Sequence, residues 1–257
     1  ANGACDPVDA ETATCPAAGI GSIRVAAGAA SDSVLLDTAT VPGTVEADLD
    51  GGTGNDRLFG SAAADALDGD SGIDILDGGP GADDLRGGSG GDILSYSGRT
   101  TALTVTIGSG EDNDGGPADV TGFRLDTVRG DIEQVIGGGG PDTMFGDASN
   151  DILVGAAGDD RLYGLRGDDL LDGGLQSDLL SGGRGSDRLL GGANPDRLLG
   201  GPQGDLLAGA GGADILVGKK GPDRMNGKGG PDRIDARDGG RDTKINCGAG
   251  NNRIEGA

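Results

Sequence analysis

A nine-residue unit with Gly first, Asp sixth and an aliphatic residue or Met eighth recurs sixteen times in this chain, and few folds accommodate so short and strict a period. The sixth-position residues are Asp56, Asp65, Asp74, Asp83 and Asp92, then Asp142, Asp151, Asp160, Asp169, Asp178, Asp187, Asp196, Asp205, Asp214, Asp223 and Asp232. The eighth-position residues keep step: Leu58, Leu67, Leu76, Leu85 and Leu94, then Met144, Leu153, Leu162, Leu171, Leu180, Leu189, Leu198, Leu207, Leu216, Met225 and Ile234. Such an array grows by adding rungs, so 257 residues need no second core, and one elongated all-β solenoid domain is expected.

Each unit divides into a six-residue turn and a three-residue strand, whose middle residue, position eight, faces inward. Two units make one coil of eighteen residues, so units n and n+2 stack. Gly occupies position one in all sixteen units and position four in eleven, which is expected to give the turn positive φ and aim its carbonyls inward. The position-four exceptions, Ala63, Ser149, Gln176, Asn194 and Gln203, mark turns expected to bind more weakly.

Stacking places the sixth-position carboxylates in columns about 4.7–4.9 Å apart, the strand spacing. Asp142, Asp160, Asp178, Asp196, Asp214 and Asp232 make one column, and Asp151, Asp169, Asp187, Asp205 and Asp223 the other. Facing charges so close repel, and a hard divalent cation between stacked pairs removes the conflict. Calcium suits such a site, taking six to eight oxygens at about 2.3–2.6 Å from two Asp side chains and loop carbonyls, whereas magnesium demands a tighter octahedron. All sixteen aspartates are therefore candidate calcium ligands, with about a dozen ions as the upper bound. The competing reading is that each Asp only shapes its own turn, which does not explain two unbroken columns.

Composition narrows the functions. A formal charge of −23 disfavours nucleic acid and anionic membranes as partners and favours cations. No apolar stretch is long enough to span a bilayer. No His is present, so neither a zinc-protease helix nor a Ser-His-Asp triad is available, no Gly-x-Ser-x-Gly elbow occurs, and an enzyme is not expected. Two tyrosines, Tyr96 and Tyr163, are too few for a carbohydrate-binding platform.

The array has two runs. Residues 51–95 hold five units and 137–235 eleven, separated by an insertion at 96–136 in which Leu103, Val105 and Ile107 alternate with threonines as a strand does. The turn Glu111–Gly116 reads as a solvated loop, with a separate calcium site as the alternative. Residues 1–50 lack the unit, yet Val45, Ala47 and Leu49 alternate with acids; Ile23 with Val25, and Val34 to Leu36, are weaker strands, and the segment reads as an N-terminal cap. Asp242 arrives ten residues after Asp232, and 236–257 is a degenerate coil with Cys247 and Asn252 in place of Gly and Asp. No charged or aromatic cap is visible after it. Cys5 and Cys15 can close a local loop, leaving Cys247 odd.

Units such as Gly51-Gly52-Thr53-Gly54-Asn55-Asp56-Arg57-Leu58-Phe59 and Gly78-Gly79-Pro80-Gly81-Ala82-Asp83-Asp84-Leu85-Arg86 resemble the RTX, or hemolysin-type, calcium-binding repeat. The resemblance implies a right-handed parallel β-roll that folds on binding calcium. The leading expectation is an extracellular or cell-surface structural solenoid, with end-to-end self-association into a filament as a more specific form. The alternative is a calcium-dependent folding and export module of a secreted enzyme or toxin. A calcium buffer or sensor fits less well, because many coupled sites make a stability switch. At position seven of the long run, arginines alternate with other residues along each face, and Phe145, Tyr163, Leu199 and Val217 add an apolar strip beside them, a candidate lateral contact surface.

Overall fold

The computed structural model describes residues 6–7, 13–14, 21–36, 45–108, 126–237 and 242–256. Cys5, Cys15 and the acidic turn at 111–116 lie outside them. Every regular element among the described residues is a β-strand. Contacts divide the chain into two compact units, residues 1–95 with 107–132 and residues 96–106 with 133–257.

In the first unit, strands Ser22–Ala29, Glu46–Thr53, Ala66–Asp68, Asp84–Arg86 and Thr127–Val128 pair in parallel, each with the next. Strands Ser33–Leu35, Arg57–Phe59, Ile75–Asp77 and Ile93–Ser95 make a second parallel set. The chain alternates between the two sets, as a solenoid must. The residues expected to cap the array thus form rungs of their own, because their alternating apolar residues meet the same inward line: Val34 stands opposite Leu58, and Leu49 opposite Leu67.

The second unit repeats this arrangement with greater regularity. One sheet runs through Thr104–Thr106, Thr143–Phe145, Arg161–Arg166, Leu179–Arg184, Arg197–Pro202, Ile215–Lys220, Arg233–Asp235 and Arg253–Glu255. The other runs through Gln134–Ile136, Ile152–Ala157, Leu170–Leu175, Arg188–Ala193, Leu206–Gly211, Arg224–Gly229 and Lys244–Asn246. Leu162 pairs with Leu180, so the coil is eighteen residues. The insertion supplies rungs to both units: Val105 stands opposite Met144 and Val128 opposite Leu85.

All sixteen position-eight side chains are at most 2% exposed. Burying each of these Leu, Ile or Met side chains is worth roughly 1.5–3 kcal/mol, so a one-residue-wide ladder can hold the rungs together despite the scarcity of aromatics. The strands from Ile152 to Gly229 are six residues long rather than the expected three, because positions two and three also pair with the next coil, as Ala156 does with Gly174. The coil from Met225 to Ile245 holds twenty residues rather than eighteen. Register is regained at Ile245, opposite Met225.

On the outer face, the Phe145 and Tyr163 rings stack at 4.9 Å. Glu255 lies among Arg233, Arg237 and Arg253 at 2.8–3.1 Å, a charged cluster on the outer side of the last rungs that the sequence pattern did not show.

Candidate metal centre

Position six begins where the turn ends, so each Asp side chain is folded under its own turn. All sixteen are at most 3% exposed. The stacking is made by hydrogen bonds as well as by strands: the backbone N–H of each Asp donates to Oδ1 of the Asp one coil later. Asp142 donates to Asp160 at 2.7 Å, Asp160 to Asp178 at 2.8 Å, Asp178 to Asp196 at 2.9 Å, Asp196 to Asp214 at 3.0 Å and Asp214 to Asp232 at 3.1 Å. The second column repeats this from Asp151 through Asp169, Asp187 and Asp205 to Asp223 at 2.8–2.9 Å. In the first unit Asp56 donates to Asp74, Asp74 to Asp92 and Asp65 to Asp83.

In most turns Oδ1 is thereby satisfied and Oδ2 is not; at Asp151 the two are exchanged, Oδ2 accepting a backbone N–H and Oδ1 lying buried without a donor. Oδ2 of Asp56, Asp74, Asp160, Asp169, Asp178, Asp187, Asp196, Asp205, Asp214 and Asp232 is buried without a hydrogen-bond partner. An ionised oxygen in that state is costly unless a cation faces it. The space beside it is lined by oxygen. A Cβ placed on Gly191 would fall 2.6 Å from Oδ2 of Asp196 and 2.8 Å from the Gly209 carbonyl oxygen. Position one is therefore Gly because a carboxylate oxygen and the next coil's carbonyl fill the place of its Cβ. This corrects the expectation of positive φ at position one; the left-handed residues sit at positions two and four, as at Leu165 and Gly167. Among the described residues no three acidic or cysteine side chains converge, so backbone oxygens must complete any coordination shell. The donor set is all oxygen, anionic and irregular, which suits calcium.

The family model for the RTX calcium-binding nonapeptide repeat matches residues 48–76, 63–94, 127–162, 145–180, 154–189, 181–216, 190–225 and 217–240, more than half of the chain. The chain belongs to the RTX calcium-binding nonapeptide repeat family. Its repeats bind calcium, and its fold is a parallel β-solenoid. No curated protein matches the chain.

The RTX turns are not uniform. In three of them Oδ2 accepts a hydrogen bond from the position-two N–H of the same turn: Ser61 to Asp65 at 2.6 Å, Gly138 to Asp142 at 3.0 Å and Asp147 to Asp151 at 2.8 Å. Those position-two residues lack positive φ, whereas Gly52, Asp70, Ala156, Leu165, Gly174 and Lys219 have it. Gly201, at position two of the Asp205 turn, also lacks positive φ although Asp205 Oδ2 has no donor, so the closed turns are set by more than φ at position two. The three closed turns need no cation on Oδ2. Gln176, Asn194 and Gln203 adopt the left-handed conformation at position four just as Gly does, while Ala63 and Ser149 lie in closed turns without it.

Burial raises the carboxyl pKa values of Asp65, Asp74, Asp142, Asp151, Asp160, Asp169, Asp178, Asp187, Asp196, Asp205 and Asp214, and neighbouring acids add to it in most of them. Asp169, Asp178, Asp196 and Asp205 are pushed up to about 7, and Asp151 and Asp160 to about 6. In each, loss of solvent is the larger cause and a hydrogen bond from the backbone opposes it.

Three further acids hold position six in rungs that the nonapeptide pattern does not reveal. Oδ1 of Asp126 accepts the Asp83 N–H at 2.9 Å, and the Asp32 N–H donates to Oδ1 of Asp56 at 2.7 Å. Glu133 falls opposite Asp151 by register, since Gln134 pairs with Ile152. The signal was the trailing Asp-x-aliphatic-x, present as Asp32-Ser33-Val34-Leu35 and Asp126-Thr127-Val128-Arg129, which irregular spacing from the next unit concealed.

Proposed function

We propose that this protein is a calcium-driven structural module of the cell exterior, whose rungs close when calcium reaches the position-six columns. Asp56, Asp74, Asp83, Asp92, Asp160, Asp169, Asp178, Asp187, Asp196, Asp205, Asp214, Asp223 and Asp232 would hold the ions, with carbonyls of the stacked turns. Asp65, Asp142 and Asp151 would serve these sites through stacking, since their own turns are closed by backbone. The observation that carries this reading is the run of buried Oδ2 atoms without donors, from Asp160 to Asp214. A net charge of −23 opposes compaction until dications offset it. Oxygen-ligated calcium sites in extracellular modules typically work at about 10⁻⁴–10⁻³ M, levels found outside cells, and RTX repeats are typical of secreted proteins.

The bound ion supplies positive charge where two coils bring carboxylates together; the chain supplies the columns, the carbonyls and the apolar ladder that the ions allow to close. A calcium titration followed by circular dichroism tests this. A cooperative gain of β signal that magnesium does not reproduce is expected, and a spectrum indifferent to chelator would refute it. Electron microscopy of the loaded protein extends the test. Rods of indefinite length would make the module a filament subunit; monodisperse particles would restrict it to a scaffold that acts singly.

A further inference from the structure

Ala27-Gly28-Ala29-Ala30-Ser31-Asp32-Ser33-Val34-Leu35 has Ala where the repeat has Gly at positions one and four, and Asp56 follows Asp32 by twenty-four residues instead of eighteen. The RTX match begins only at residue 48. The backbone nevertheless follows the repeat. Gly28, at position two, has φ +106°, close to the +109° of Gly192. Gly52 and Gly54 lie directly against the carbonyls of Gly28 and Ala30, as Gly192 and Gly212 lie against those of Gly174 and Asn194. Val34 stands opposite Leu58, the Asp32 N–H donates to Oδ1 of Asp56 at 2.7 Å, and the Asp32 carbonyl accepts from Arg57 N–H at 2.9 Å.

We propose that residues 27–35 form an additional calcium-binding turn, in which Asp32 stacks on Asp56 and completes a site with it. The proposal rests on the calcium reading above and adds a ligand to it. Two observations point to an ion here. Asp56 is 1% exposed and its Oδ2 has no donor; Oδ2 of Asp32 is likewise buried without one.

The second observation is which turns are closed. The three turns whose Oδ2 is satisfied by backbone follow a rung with no aspartate at position six: Ala47 precedes Asp65, Leu103 precedes Asp142 and Glu133 precedes Asp151. Open turns with a donor-free Oδ2 follow an aspartate, as Asp74 follows Asp56 and Asp160 follows Asp142. Asp56 would belong with the closed turns if its predecessor were inert. It is open, with Gly52 at +88° and Gly54 at +142°, so Asp32 acts as a full member of the column.

Bound calcium per chain, measured by equilibrium dialysis with elemental analysis of the full chain, tests this in the wild type and in Asp32→Asn. The substitution leaves the backbone bonds of residue 32 in place. A loss of about one ion per chain is expected, with the circular dichroism of the loaded protein otherwise kept. Hydrogen exchange on the wild type gives a measurement that does not depend on the variant folding. Amides of residues 33–36 and Arg57 should gain protection on adding calcium. Unchanged stoichiometry in Asp32→Asn, or protection at 33–36 equal in calcium and in chelator, overturns the proposal while the calcium reading stands. A wild type that takes up no calcium at all overturns the calcium reading itself.

Discussion

The side-chain amide of Asn252 donates from Nδ2 to the carbonyl of Cys247 at 2.9 Å, while its Oδ1 accepts the Asp232 N–H at 2.7 Å. Asn252 holds position six of the last coil, where every full repeat has Asp. Its amide puts a donor where the aspartate turns put Oδ2, so this coil closes with both polar atoms satisfied and no charge to neutralise. Asn252→Asp should make the last coil calcium-dependent. In chelator it should cost about 1–3 kcal/mol, the penalty of a polar group facing another acceptor, and calcium should restore much of it. Amide exchange at Arg253 and Glu255 with and without calcium reads the effect.

Gly191→Ala tests why position one is invariant. The added methyl would sit on Oδ2 of Asp196 and the Gly209 carbonyl. A loss of about 3 kcal/mol or more is expected, with weaker calcium binding at that turn, since both backbone and carboxylate must move. Calorimetric unfolding in saturating calcium measures it. Gly211→Ala, whose Cβ would come no nearer than 3.8 Å to the preceding coil, is the control.

Leu165→Gly should stabilise the protein. Leu165 is 46% exposed and held at φ +72°, a conformation that costs a side-chain-bearing residue about 1–3 kcal/mol. Glycine relieves that strain but adds freedom to the unfolded chain, so a net gain of about 0.5–1 kcal/mol is expected. A higher urea midpoint in calcium would show it.

The pH dependence has a definite sign. Asp169, Asp178, Asp196 and Asp205 have carboxyl pKa values near 7 in the calcium-free fold, above the ordinary 3.8. The calcium-free fold therefore holds protons that the unfolded chain releases. Its stability from these groups is full below the ordinary value and is lost as pH rises through about 7. In chelator the chain should be more resistant to urea at about pH 5 than at about pH 8, and calcium binding near pH 6 should release protons. Urea midpoints in chelator, and titration calorimetry in buffers of different ionisation heat, check the two parts.

Much of this was legible because the repeat is short and strict. Position eight marked the buried ladder and position six the carboxylate columns, since a side chain's place in a regular coil is fixed by its place in the period. The pattern is silent where the period fails. Asp32 is separated from Asp56 by six residues beyond one coil, and Asp126 lies within the insertion at 96–136, so neither falls on the count of nine. The closed turns at Asp65, Asp142 and Asp151 are illegible for another reason. Their state depends on Ala47, Leu103 and Glu133 in the rung before, and only the three-dimensional register brings those residues opposite. The role of position-one Gly is not legible in the sequence because crowding by Asp196 Oδ2, unlike a turn, leaves no local trace there.

Anomalous diffraction from crystals grown in calcium tests the central claim most directly. Peaks beside Oδ2 of Asp160, Asp169, Asp178, Asp187, Asp196, Asp205 and Asp214 are predicted, with none at the backbone-closed carboxylate oxygens of Asp65, Asp142 and Asp151. Columns without peaks, or peaks confined to the closed turns, would contradict the account.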